Sequence, residues 1–201
     1  MSSEAGVCAM SSEGSVGHGV HATAVVYGEC GVAIMGASGS GKSALALALL
    51  ARAKSSGRFG ALIGDDRVWV RAAGGRVIAS GAPHTAGLIE RRAAGVQSAP
   101  SEPAAVIRLV VELSGPKRSW PRWPGEPNEY AVEEIAVPRL ALDSAASAAD
   151  NAMSVDERLE LIAFGQDVGR GFSLEQCAAL HKNRKLVSRT ASPTSEPGSD
   201  D

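Results

Sequence analysis

The chain is poor in aromatics, in excess charge of either sign, in long apolar runs and in cysteine. Of its 201 residues only three are Trp, two Tyr and three Phe, too few for the stacking platforms on which proteins hold single-stranded nucleic acid. Twenty Lys and Arg stand against 22 Asp and Glu, a formal net charge of −2. Counterion release needs a clustered positive surface, so no nucleic-acid partner is expected. The longest apolar stretch, 44–51, falls far short of the ~20 residues that a spanning helix needs. The opening MSSEAGVCAMSSEG carries no charged and apolar leader, so membrane and secreted readings are set aside. Cys8, Cys30 and Cys177 are odd in number, unpaired in spacing and far from any His cluster. They read as inert thiols in a reducing cytoplasm rather than as a disulfide or zinc framework. What is present, 44% hydrophobic and 21% charged residues, suffices for one well-buried domain with flanking tails.

Residues 1–17 and 190–201 are dominated by Ser, Gly, Pro, Ala and acid. They lack the apolar area that offsets ordering entropy, and are expected to be a disordered leader and tail. Between them, 22–27 (ATAVVY) and 31–35 (GVAIM) are β-branched runs on either side of Gly28-Glu29-Cys30, which predicts a tight strand pair. From Lys42 the Ala/Leu-rich KSALALALLARAK predicts a helix buried over much of its circumference. A short buried strand at 61–63 is followed by a hairpin, 68–71 and 76–79, around Ala72-Ala73-Gly74-Gly75. Two further strands are expected at 105–113 and 135–142, separated by a loop with Trp120, Pro121, Trp123 and Pro124, and Pro138 places the second at an edge or a strand end. After Asp143 the pattern turns helical, with Ser173 and Glu175 opening a last helix. The expected layout is a domain over 18–142, a helical appendage over 143–189, and the two tails.

One motif carries chemistry. Gly36-Ala37-Ser38-Gly39-Ser40-Gly41-Lys42-Ser43 satisfies the phosphate-loop pattern, follows a strand and opens a helix, the context the pattern requires. Its glycines let successive backbone N–H groups turn toward phosphate oxygens, and the helix start adds positive partial charge. Lys42 would neutralise the β- and γ-phosphates of ATP, and the Ser43 hydroxyl would ligate Mg2+. Asp65-Asp66, at the end of strand 61–63, are the carboxylates to set opposite the loop. In a doubly wound arrangement the strand C-termini gather at that edge, and neighbouring carboxylates perturb each other's titration. By itself His21 reads as a surface or packing histidine. Glu90-Arg91-Arg92, beyond Gly81-Ala82-Pro83-His84, reads equally as a charged helix face or a turn.

Taken in order, His21-Ala22-Thr23-Ala24-Val25, the GASGSGKS loop, Leu62-Ile63-Gly64-Asp65-Asp66 and Leu88-Ile89-Glu90-Arg91-Arg92-Ala93-Ala94-Gly95-Val96 resemble the C-terminal kinase domain of HPr kinase/phosphorylase, in the short form found in alphaproteobacteria. The resemblance covers about 21–142. It implies an α/β phosphate-loop domain similar to phosphoenolpyruvate carboxykinase, with a mixed sheet. It also implies an ATP- and Mg2+-dependent serine kinase acting on an HPr-type phosphocarrier protein, with phosphorolysis of the phosphoserine as the reverse activity. Asp66 would be the catalytic carboxylate, His21 and Lys42 the active-site histidine and lysine, Ser43 and Glu90 the magnesium positions, and Arg92 a signature residue, with Asp65 beside Asp66. Family members are often hexamers, so a homo-oligomer is within the resemblance. Three features depart from it. The signature, commonly EIRGLGI, reads ERRAAGV; the connection 54–60 is long; and an arginine-bearing segment after the last strand is replaced by Asp143-Ser144-Ala145. The other readings of the same loop are a small-molecule kinase or simple ATPase, and an ATP-sensing regulatory module without turnover.

Overall fold

The structure, a computed structural model, describes residues 17–92, 94–114 and 129–163. Outside them lie nearly all of the expected leader, the tail, the Trp120–Pro124 loop, the helix opened by Ser173, and Cys8 and Cys177.

A three-residue strand, β1 (His18–Val20), leads into β2 (Ala22–Tyr27), which pairs antiparallel with β3 (Cys30–Gly36) across Gly28-Glu29. Gly28 stands at φ 62 and supplies the left-handed backbone the turn needs. Helix α1 (Lys42–Ser55) follows the phosphate loop, and β4 (Gly60–Gly64) returns alongside β2. The expected hairpin forms as β5 (Val68–Ala73) and β6 (Arg76–Ser80), with Gly74 and Gly75 both left-handed. The Glu90 segment is neither a helix face nor a turn: it is a strand, β7 (Leu88–Arg91), paired antiparallel with β8 (Gly95–Ser98) in a separate two-stranded ribbon. A long strand, β9 (Ala104–Ser114), precedes the hairpin of β10 (Glu129–Val132) and β11 (Ile135–Asp143), and helix α2 (Ala148–Ala163) closes the described chain. β10 was not expected from the sequence.

The main sheet runs β1-β5-β6-β9-β3-β2-β4. It is mixed rather than doubly wound. β3, β9 and β11 are parallel, while β2 lies antiparallel between β3 and β4. β3 and β4 therefore share a direction, their C-terminal ends lie at one edge, and the N-terminal end of β2 lies there with them. Pro138 is not at a strand end, but each residue of β11 pairs with a single strand among the described residues, as expected of an edge position. The proline sits mid-strand in β11, where pairing passes from β10 (Glu129 opposite Pro138) to β9 (Arg139 opposite Val110), a hand-over at which a missing N–H is tolerated.

All six residues of β2 are buried, because both faces of the sheet are covered. Val25, Ile34, Leu62 and Val111 face α1 and α2, while Ala24, Ala33, Ile63 and Val110 face the layer formed with Val68, Val77, Val132 and Val137. Strands covered on both sides read as continuous apolar runs rather than alternating ones. Helix α2 is integral to this core and is no appendage. Ala152, Val155 and Leu159 pack in one cluster with Leu45 and Leu49 of α1. Its buried Asp156 accepts from Arg52 Nε at 2.8 Å and pairs with Arg58 Nη1 at 2.5 Å. Arg58 belongs to the connection after α1, which this pair ties to α2. Burial pushes the Asp156 carboxyl up, but hydrogen bonds from Arg52 and Tyr27 and the Arg58 and Arg52 charges outweigh it and hold it below the usual carboxylate range. Ser147 starts the helix, accepting from the Asp150 N–H at 3.1 Å while donating to Asp150 Oδ2 at 2.7 Å.

Candidate active site

The chain segments at the shared edge bring the sequence candidates together. At the end of β3, Gly36 packs so closely on β9 that a methyl there would lie 2.8 Å from the Leu113 carbonyl oxygen. Gly39 and Gly41, at φ 80 and 96, shape the loop, and Gly41 caps α1 with no capping side chain and no acid in the first turn. That leaves the positive end of the helix suited to an anion. Ser40 Oγ is buried without a hydrogen-bond partner among the described residues, an orphan that a ligand oxygen in the loop could satisfy.

Lys42, 7% exposed, donates to the carbonyls of Gly36 and Ala37, both at 3.1 Å, and lies 2.9 Å from His21 Nε2. These contacts use all three ammonium protons, so Nε2 is the acceptor and the imidazole proton is assigned to Nδ1. Nδ1 stands 3.0 Å from the Asp66 carbonyl oxygen and 3.1 Å from Asp66 Oδ1. Burial lowers the Lys42 ammonium below its usual range, and the Asp66 and Asp65 charges partly oppose that shift.

The two aspartates take different partners. Asp66 adopts φ 62, a left-handed conformation that Asp tolerates better than most residues, and its side chain is 84% exposed. Asp65 is turned inward. Its Oδ1 accepts from Thr23 Oγ1 at 2.6 Å and Ser43 Oγ at 3.0 Å, and its Oδ2 accepts from the Glu90 backbone N–H at 3.1 Å.

Ribbon β7–β8 forms the opposite wall. Arg92 lies over the loop, its Nη2 2.7 Å from where a Gly39 methyl would be. Together His21, Ser38, Gly39, Gly41, Lys42, Ser43, Asp65, Asp66, Glu90 and Arg92 line one open cleft of about 630 Å3, with Thr85, Leu88, Arg91 and Val96. The sequence reading names Glu90 and Arg92, but neither Thr23 as a partner of Asp65 nor 88–98 as a ribbon. The available signals were a lone hydroxyl inside an apolar strand and a short alternating run after Gly87.

The donor set suits a magnesium–nucleotide pair. Ser43, Asp65 and Glu90 offer hard oxygens, and among the described residues no group of three or more His, Cys, Asp or Glu forms a metal cage of its own. Mg2+ characteristically takes one or two protein ligands and completes its shell with phosphates and water.

No family profile matches the chain, and no curated protein matches it. Among solved structures it is similar to the HPr(Ser) kinase/phosphatase from Coxiella burnetii, with a TM-score of 0.60 at 23% identity, covering 72% of this chain and 98% of that one. The chain shares the fold of that protein: an α/β phosphate-loop domain with a mixed sheet. No helix among the described residues is long and apolar enough to cross a membrane.

Proposed function

We propose that the protein is an ATP- and magnesium-dependent serine kinase, acting in the cytoplasm on an HPr-type phosphocarrier protein, with the kinase direction dominant over phosphorolysis. The observation that carries this reading is the contact chain Lys42–His21–Asp66 at the mouth of the phosphate loop. An ATPase has to admit only water. A kinase needs a base that an incoming side chain can reach, and Asp66 is exposed and held in place by His21.

In this reading the seryl oxygen attacks the terminal phosphorus of ATP, the bond to the β-phosphate oxygen breaks, ADP departs, and the seryl proton passes to the Asp66 carboxylate. Lys42 exchanges its loop carbonyl partners for phosphate oxygens, and Arg92 adds a second cation beside Gly39. Ser43 and Glu90 are the residues that would hold Mg2+, whose chemistry is to offset phosphate charge. A protein acceptor is favoured over a small one by Leu88 and Val96, 43% and 65% exposed on the cleft wall. Phosphorolysis brings two anions together and calls for further cationic donors. Arg91 is the additional cation lining the cleft, while Asp143 is committed to the turn before α2, its Oδ1 accepting from the Ala145 N–H at 2.8 Å.

The test is incubation with radiolabelled ATP and Mg2+, with and without a purified HPr-type protein. Labelled acceptor is expected. Free phosphate alone would make the protein an ATPase, and nucleotide binding without turnover would make it a sensor. Phosphoserine acceptor with inorganic phosphate should release pyrophosphate more slowly than the forward reaction proceeds.

A further inference from the structure

Thr23 interrupts the apolar strand β2, and it is 0% exposed. A buried hydroxyl is costly unless it is hydrogen-bonded, and this one donates to Asp65 Oδ1 at 2.6 Å, the shortest of the contacts to that carboxylate. Along β2, residues 23, 25 and 27 share a face, and Val25 and Tyr27 belong to the cluster packed on α1. The hydroxyl is thus on the side of the sheet from which α1 presents Ser43.

Asp65 is where three elements meet. Thr23 comes from β2, Ser43 from the first turn of α1, and the Glu90 N–H from β7. Ser43 Oγ donates its only proton to this carboxylate, at 3.0 Å to Oδ1 and 3.2 Å to Oδ2. A hydroxyl whose proton is held in this way keeps its oxygen lone pairs for a cation. The arrangement works only if Asp65 stays still, and a carboxylate at the end of a strand, leading into a turn, needs an anchor. Ser43 cannot supply it, being the group that is oriented, and the β7 amide holds only the other oxygen.

We propose that Thr23 is a positioning residue for the magnesium site, acting through Asp65 on Ser43 and on the β7 segment that carries Glu90. This rests on the reading of Ser43 and Glu90 as the magnesium positions. A valine at 23 would keep shape and β preference but leave Asp65 Oδ1 with Ser43 as its remaining side-chain donor, free to swing with it. Residues that act through a metal ligand in this manner typically contribute 10–100-fold in metal affinity.

The experiment is direct binding of Mn2+, followed by electron paramagnetic resonance, to protein saturated with ADP, alongside ADP binding in chelator. Thr23→Val is expected to weaken Mn2+ binding about tenfold while leaving chelator-phase ADP affinity unchanged, and Thr23→Ser is expected to restore Mn2+ binding. Thr23→Ala beside Thr23→Ser gives a second pair differing only in the hydroxyl. Parental Mn2+ affinity in Thr23→Val, or a Thr23→Ser no better than Thr23→Val, overturns the proposal. So does failure of both Thr23→Val and Thr23→Ala to fold by circular dichroism, since the hydroxyl would then be a requirement of the fold. A parent protein that takes up no Mn2+ with ADP overturns the functional reading together with this one, whereas normal parental binding with an unaffected Thr23→Val overturns this inference alone.

Discussion

Gly39 and Arg92 occupy touching space: a methyl on Gly39 would lie 2.7 Å from Arg92 Nη2, on a backbone already at φ 80. Gly39→Ala therefore meets two obstacles, a left-handed strain of about 1–3 kcal/mol and the guanidinium above it. ADP affinity, read by titration calorimetry, should fall about tenfold or more. In an Arg92→Ala background the second obstacle is gone, so the same substitution should cost less. Equal losses in the two backgrounds would show that Arg92 does not rest on the loop.

Lys42 should matter to catalysis and not to folding. Lys42→Met is expected to lower kcat about a hundredfold or more. Because burial depresses the Lys42 pKa, the folded state disfavours the ammonium. That destabilisation is complete below the lowered folded value and fades as pH rises toward the ordinary 10.5. Lys42→Met should accordingly be at least as stable as the parent at neutral pH, with its advantage shrinking in alkali. A Lys42→Met that melts well below the parent at pH about 7 would mean that the contacts to Gly36 and Ala37 hold the loop together.

Asp66 and Asp65 should separate on substitution. Asp66→Asn keeps shape but takes no proton, and kcat should fall by roughly 10²–10⁴ with ADP binding retained. Parental turnover in Asp66→Asn would remove it as the base and make Asp65 the next carboxylate to substitute. Asp65→Asn has a different lesion, because an amide nitrogen would replace one of the two acceptor oxygens to which Thr23, Ser43 and the Glu90 N–H donate. It should perturb the metal requirement and the melting temperature together.

Asp156 ties α2 to α1. Asp156→Ala should cost about 2 kcal/mol in urea unfolding, below the 3–5 of a fully buried pair because Arg52 and Arg58 side chains are 39% and 41% exposed. Its carboxyl is held below the ordinary 3.8 in the fold, so its contribution is complete above that value and is lost as pH falls through the lower folded one. On acidification below pH 3.8 the parent should lose stability more steeply than Asp156→Asn. Removal of 143–201 strips Val155 and Leu159 from the core and should abolish soluble expression. Soluble, ADP-binding 1–142 would restore the appendage view.

The elements whose determinants are local could be read directly: the β2–β3 hairpin from two β-branched runs about a glycine, the phosphate loop from glycines that must adopt positive φ, α1 from a breaker-free Ala/Leu run. Lys42, Ser43 and the Asp65-Asp66 pair belong with them, since a strand end, a loop and a helix start are each set by neighbouring residues. Strand order is a different kind of information. That β2 lies reversed between β3 and β4 decides that His21 meets Lys42, 21 positions away, and that Thr23 meets Asp65, 42 positions away, and no local periodicity encodes which strands pair. The same holds for the Glu90 segment, whose charged residues read as helix or turn until β8 gave them a partner. It holds for α2 as well, whose buried face stayed ambiguous until α1 and Arg58 met it. The chemistry on offer was written in short segments, whereas the cleft exists because long-range pairing and burial on both faces of one sheet brought those segments to a single edge.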